Sequence, residues 1–270
     1  AAAVLGRRLG LPWSIKARGA DIHHWAAMPA IRPKAVAAAQ GAGGMLAVCQ
    51  ALKDDMARLG MPAERIRVHY TGVDLERFRP VDRATARSGL GVASPLVVSV
   101  GALIPRKAHH VLVEAAALLP GVTLLIAGEG EERPRLEALI ARLGLVDRVR
   151  LLGNRPHAEV ARLVAAADVF ALASRREGLA NAYVEALACG TPVVATPVDG
   201  APEAIDRPAA GRLAEAAPEA FAQAIAALLA DPPDPLATRA VAEEKFAWDR
   251  HVAELKAHLR AVAATQPGRR

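Results

Sequence analysis

Ser174-Arg-Arg-Glu-Gly-Leu-Ala-Asn-Ala-Tyr-Val-Glu-Ala-Leu-Ala-Cys-Gly-Thr-Pro-Val-Val-Ala-Thr-Pro-Val-Asp-Gly-Ala-Pro-Glu-Ala-Ile205 is the stretch from which the fold of this 270-residue chain is read. Ahead of it runs Asp168-Val-Phe-Ala-Leu-Ala173, an apolar run that suits a parallel strand covered on both faces. Residues 174–178 are then the loop at the carboxyl end of that strand. Good helix formers fill 179–189, and Gly190 with Pro192 ends the helix. A new strand follows to Ala195. Such a unit aims a helix N-terminus at the rim of the sheet, where free N–H groups and the helix dipole stabilise anions. Glu177 lies in the loop and Glu185 eight positions later, on the order of 12 Å away if the helix is regular between them. That distance suits a sugar at one end of a ligand and a ribose at the other. Most helix glutamates are solvated surface charges, so the choice rests on the surroundings.

Outward from this stretch, strands and helices alternate. Strands are expected at 96–100, 123–127, 149–152, 169–172 and 193–195, with helices at 107–119, 131–143, 156–167, 179–189 and 217–230. That rhythm predicts a parallel sheet wound on both faces. Toward the N-terminus, strands are expected at 14–17, 45–48 and 66–70, with helices at 32–42 and 49–59. The polar segment 82–91 reads as a linker. After Asp231-Pro-Pro-Asp-Pro235 comes a helix with Phe246, Trp248, Val252, Leu255 and Leu259 on one side, then a frayed tail at 266–270. The expected organisation is a partial N-terminal Rossmann-like domain with linker at 1–93, a second Rossmann-like domain at 94–230, and a C-terminal helix and tail at 231–270.

The net charge of +6 is dispersed. It favours phosphate-bearing small molecules or an anionic membrane surface over nucleic acid, because no basic run is interleaved with aromatics. Cys49 and Cys189 have neither metal spacing nor a disulfide framework and read as small buried residues in a reducing compartment. No uncharged apolar run reaches membrane-spanning length. The expected location is cytoplasmic, at most at the inner face of the membrane.

The chemistry gathers where strands end. Gly101-Ala-Leu-Ile-Pro-Arg106-Lys107 follows the first strand of the second domain. Gly101 permits a close backbone approach, and Arg106 and Lys107 would neutralise a diphosphate. Gly128-Glu-Gly130 follows the next strand and is too short for a dinucleotide fingerprint. The adjacent His23 and His24 point different ways on any regular element, and there is no Asp-x-Asp pair. No metal is expected to hold the phosphates.

Together, Gly101-x4-Arg106-Lys107, Gly128-x-Gly130, Ser174-x-x-Glu177-Gly-x6-Glu185 and Val194-Ala-Thr196-x3-Gly200-x2-Glu203 resemble the group 1, family 4 glycosyltransferases. The likeness extends to Val68-His-Tyr-Thr-Gly-Val-Asp74 before the linker and to Phe246-Ala-Trp248 at the start of the family's last helix, which returns to the N-terminal domain. The resemblance implies a GT-B α/β fold with two parallel sheets, and sugar transfer from a UDP- or GDP-linked donor to a saccharide or lipid-linked acceptor. It implies retention and no metal or other cofactor. It assigns the donor diphosphate to Arg106 and Lys107, the ribose hydroxyls to Glu185, and the transferred sugar to Glu177. The backbone of Gly178, Leu179, Ala180 and Asn181 would lie nearby, with Gly101 and Gly128 lining the nucleotide. Ala180 stands where the family usually has Pro, and Arg18-Gly-Ala-Asp21 where it has His-Gly-x-Asp, so Arg18 would take the place of a His. The family's first strands are missing, so Ala1 is expected to fall midway through the N-terminal domain. The competing readings are a nucleotide-sugar-binding module without turnover, an epimerase or hydrolase on the same fold, and a structural α/β domain.

Overall fold

The structure is a computed structural model and describes residues 2–92 and 95–265. They form two compact units, each an α/β assembly around its own parallel sheet.

The first unit comprises Ala1–Gly72, Glu177–Leu179 and Trp248–Arg270. It contains α1 (Ala2–Leu9), β1 (Ser14–Ala17), α2 (Arg32–Gln40), β2 (Gly44–Ala47), α3 (Gln50–Arg58) and β3 (Ile66–Val68), with a π-helical turn at Asp21–Ala26. Its three strands are parallel in the order β1-β2-β3. Every residue of β2 is buried, and Leu52 and Met56 of α3 close over the sheet without exposure.

The second unit comprises Val73–Arg176 and Ala180–Ala247. In order it holds α4 (Arg83–Ser88), β4 (Leu96–Val100), α5 (His109–Ala117), β5 (Thr123–Ala127), α6 (Arg133–Arg142), β6 (Val149–Gly153), α7 (His157–Ala166), β7 (Val169–Leu172), α8 (Asn181–Ala188), β8 (Val193–Ala195), α9 (Ala201–Ala204), β9 (Gly211–Leu213), α10 (Pro218–Ala230) and α11 (Pro235–Phe246). The six strands are parallel in the order β6-β5-β4-β7-β8-β9. This is a doubly wound sheet, and its winding reverses between β4 and β7. One helical layer contains α5, α6 and α10, and the other α4, α7, α8 and α11. The Val- and Leu-rich strands pack Val97, Leu124, Ile126 and Val169 against Leu112, Leu136 and Phe221. The last helix, α12 (Trp248–Ala263), belongs to the first unit.

The expected strands are present, with β3 two residues shorter, β6 one longer and β2 shifted by one, and the two-sheet α/β fold holds. Four readings change. The expected boundary at 93/94 lies outside the described residues, and the units divide at Gly72 instead. The reason is that the supposed linker folds as α4 and joins the second unit. Asp82 caps it by accepting from Thr85 N–H at 2.8 Å, Arg87 Nη2 pairs with Asp168 at 2.7 Å, and Arg87 Nε donates to Ala166 O. Residues 231–247 go with the second unit for a similar reason. Arg239 donates to the carbonyls of Leu75, Phe78 and Ala188. The apolar stripe expected on the final helix is not its packed face: Trp248, Val252 and Leu259 are exposed, while His251, His258 and Val262 are buried. Finally, β9 was not expected, because Gly-Arg-Leu carries no apolar run. The expected fraying at 266–270 falls outside the described residues.

Backbone packing on the rim demands glycine at 130, where a Cβ would lie 2.3 Å from Leu103 O, and at 128. Gly128 has φ +148°, and a Cβ there would lie 1.9 Å from Gly101 O. Gly121 also has positive φ, +82°, but faces open space. Gly121→Ala is therefore expected to cost about 1 kcal/mol through backbone strain alone. Gly128→Ala should cost more than about 3 kcal/mol, because the neighbouring loop must move as well. Urea unfolding of both variants measures the difference.

Candidate functional site

The reversal between β4 and β7 sends their following helices to different layers and opens the rim there. The loops after these two strands meet across the opening. Arg175 N–H donates to Arg106 O at 2.9 Å, and Arg106 Nη1 donates to Arg176 O at 2.8 Å. The 3-10 turn Pro105–Lys107 is thus fastened by both its backbone and its guanidinium, with two further arginines beside it. On its other side the turn is joined to the loop after β5. Gly101 N–H donates to Ala127 O, Leu103 N–H to Glu129 O, and Glu132 N–H to Leu103 O, each at 2.9–3.0 Å.

Gly101 and Gly128 play different parts in this arrangement. Gly128 is required by the approach of Gly101 O, so packing alone explains it. A Cβ on Gly101 would make ordinary contacts, 3.5 Å from Lys107 Cε and 3.6 Å from His109 Nε2. Packing does not call for a glycine there. Glu129, between the two loop glycines, is held by Arg133 through Nε at 3.0 Å and Nη2 at 2.8 Å, and that hydrogen bonding keeps its carboxyl below the usual carboxylate range.

His109 begins α5 directly beneath this loop. It is buried, and its Nδ1 lies 3.4 Å from Ser99 Oγ. Burial first, and then the charge of Lys107, lowers its pKa to about 4, so the ring is neutral at physiological pH. Ala108, between Lys107 and His109, takes the left-handed conformation, φ 48° and ψ 40°. This single strained residue turns the chain from the Arg106–Lys107 turn into α5.

The loop after β7 is split between the units. Glu177–Leu179 belongs to the first, where Glu177 is buried, Cys49 Sγ donates to Gly178 O at 3.5 Å, and a Cβ on Gly178 would lie 2.3 Å from Arg18 O. The glycine is thus fixed by close backbone approach. Arg18, expected to replace a family His, lends its N–H to a turn. Asp21 accepts from the N–H groups of Arg18, Gly19 and Ile22 at 2.8–3.1 Å. Ala180 and Asn181 belong to the second unit. The helix begins only at Asn181, so a regular helical spacing from Glu177 to Glu185 does not apply. Ala180 at the α8 N-cap provides no side-chain cap.

Two residues near Glu185 were not singled out in the sequence. His157 Nε2 lies 3.0 Å from Glu185 Oε1, and Arg77 Nη1 lies 3.0 Å from His157 Nδ1. The available signal was position: His157 opens the helix after β6, at the same end of the sheet. Folding also gathers His69, His251 and Glu254, whose ligand atoms lie within 4.8 Å of one another, from stretches with no ligand spacing. His69 is already engaged there by Lys16 Nζ at 2.7 Å and by His251 O at 2.9 Å.

The family described as "Glycosyl transferases group 1" matches residues 82–245, more than half of the chain. The chain belongs to this family. The D-inositol 3-phosphate glycosyltransferase of Mycolicibacterium gilvum (strain PYR-GCK) is 40% identical over 209 residues, covering 74% of this chain and 47% of that protein. The protein of the same name from Mycobacterium marinum is 38% identical over 220 residues, 76% of this chain and 47% of the other. The chain spans about half the length of the curated relatives it matches. Anabaena Alr3699/HepE in complex with UDP aligns with a TM-score of 0.88 at 28% identity, covering 96% of this chain and 75% of that one. The same protein has been solved with UDP-glucose and with UDP and glucose. Sucrose-phosphate synthase from Thermosynechococcus elongatus aligns with a TM-score of 0.82 at 27% identity, over 96% of this chain and 70% of that one. The group 1 chain thus shares its two-sheet α/β fold with GT-B glycosyltransferases. No helix among its described residues is long and apolar enough to cross a membrane.

The neutral His109 ties stability to pH. Its folded pKa of about 4 lies below the unfolded value of 6.5, so the unfolded chain takes up the proton first as pH falls. The stabilisation is complete above 6.5 and is lost toward 4. Over that window wild type should lose on the order of 3 kcal/mol more than His109→Gln. Urea unfolding at a series of pH values checks the difference in slope.

Proposed function

We propose that this chain carries the donor-binding part of an enzyme that transfers a sugar from a UDP- or GDP-linked donor to a saccharide or lipid-linked acceptor, with retention at the anomeric carbon and without a metal. The observation that supports it most is the basic turn fastened at the winding reversal, Arg106 joined to the backbone of Arg175 and Arg176. The UDP and UDP-glucose complexes of the similar Anabaena protein point to the same donor class. The curated relatives, by name, glycosylate D-inositol 3-phosphate. The family match covers mainly the second unit, so it speaks to the donor more than to the acceptor.

In this reading the bond between the sugar and the diphosphate breaks while negative charge builds on the departing phosphate. Arg106, Lys107 and the uncapped start of α8 meet that charge, a task a metal performs in other transferases. Such donors are fixed before the reaction, so little reorganisation is needed as charge develops. Glu185 accepts from the ribose hydroxyls, Glu177 contacts the transferred sugar beside Gly178, Leu179, Ala180 and Asn181, and Gly101 lets the nucleotide approach the backbone. Synthesis of cell-surface polysaccharide or glycolipid at the cytoplasmic face of the membrane is the setting that fits.

Calorimetric titration with UDP and with GDP tests the assignment. Glu185→Ala should weaken the bound nucleotide by about 1.5–3 kcal/mol, because hydroxyls lose a charged acceptor. Gly101→Ala should weaken it as well while leaving the melting temperature unchanged, since the added methyl has room. Unchanged affinity in both variants would remove the nucleotide from this rim. Donor binding and turnover should survive EDTA; loss of either, restored by Mg²⁺ or Mn²⁺, would overturn the metal-free mechanism.

A further inference from the structure

Glu185, on α8, is the last residue of a chain of contacts that begins at Arg77 and passes through His157. Its side chain is 14% exposed, against 54% for His157, which meets it from the first position of α7. The His157 Nε2 to Glu185 Oε1 distance is 3.0 Å, and Arg77 Nη1 reaches His157 Nδ1 at the same distance. A guanidinium can only donate. Nδ1 is therefore the acceptor, and the ring proton resides on Nε2, aimed at the carboxylate.

Every member of this relay is held. Asp74 accepts from the N–H groups of Glu76 and Arg77 and lies 3.8 Å from Arg77 Nε. Phe78, fully buried, sets its ring edgewise against His157 with centroids 5.0 Å apart. Arg239 then ties both ends to one guanidinium, donating to Leu75 O and Phe78 O on the Arg77 turn and to Ala188 O at the end of α8. A carboxylate on a flexible stem would otherwise rotate between hydrogen-bonding geometries. Here one lone pair of Oε1 is taken by His157, and the rest of the group is presented in a fixed orientation.

We propose that His157 is a positioning residue for ribose recognition, with Arg77 setting its tautomer, so that Glu185 offers its remaining lone pairs to two neighbouring hydroxyls. The inference rests on the reading of Glu185 as the ribose acceptor. A nucleotide with both hydroxyls uses the oriented carboxylate fully, and one lacking the 2′-hydroxyl gains less from the orientation.

The test is calorimetric titration of the full chain with UDP and 2′-deoxy-UDP, and with GDP and 2′-deoxy-GDP. His157→Ala should weaken the ribonucleotide on the order of fivefold, the worth of one hydrogen bond, while changing the 2′-deoxy compound little. The ribo-to-deoxy preference then shrinks. His157→Gln, which keeps an N–H near the Nε2 position, should restore most of that preference. Equal weakening of both nucleotides, or none of either, would overturn the positioning role, since a merely structural contribution does not distinguish the two sugars. Glu185→Ala separates the levels. If it abolishes the preference and His157→Ala leaves it intact, only the His157 inference fails. If Glu185→Ala also leaves it intact, the ribose assignment fails and the inference with it.

Discussion

A parallel sheet wound on both faces must open its rim where the winding reverses, and in the second unit that place lies between β4 and β7. The loops leaving these strands would diverge with their helices. Arg106 holds them together through two hydrogen bonds, one made by its carbonyl and one by its guanidinium. The other features of the rim are arranged around this junction. The β5 loop pairs with the β4 loop, Gly128 permits that approach, and Ala108 accepts a left-handed conformation so that α5 can start at the right place.

Burial under the junction has its own logic. His109 fills the space below the loop and stays neutral, so Lys107 has no second cation beneath it. A charged ring there would face both Lys107 and an apolar core. The cost of keeping a histidine neutral is small at physiological pH and grows only in acid. A similar division governs α8, where Tyr183 and Val184 are buried, while Glu185 is partly buried against the more exposed His157.

The strands of both units were legible because Val, Leu and Ile concentrate in short runs bounded by glycine and proline, and parallel strands buried on two faces leave that mark. The basic turn was legible because it follows such a run directly. Other features depend on long-range pairing that no local pattern records. Segment 83–88 looks like a linker by composition, and distant partners assign it to the second unit: Arg87 reaches Asp168 and Ala166 O, and Arg83 reaches Gly190 O. Apolar residues do not mark the packed side of the final helix, which is set by His258, whose ring bonds Ser14, and by Val262 against Gly43 and Gly44. His157 carries no local signal, because its partners lie 80 and 28 positions away.

Cross-bracing of the rim loops has a thermodynamic consequence. Loops that must be ordered by a ligand lose conformational entropy at the moment of binding, and part of the contact energy is spent there. Here the β4 loop is hydrogen-bonded to the loops after β5 and β7 by the protein's own groups. Its freedom was surrendered during folding, so under the proposed function a phosphate arriving at the turn meets a rigid donor surface, and its affinity reflects electrostatic fit more than induced order.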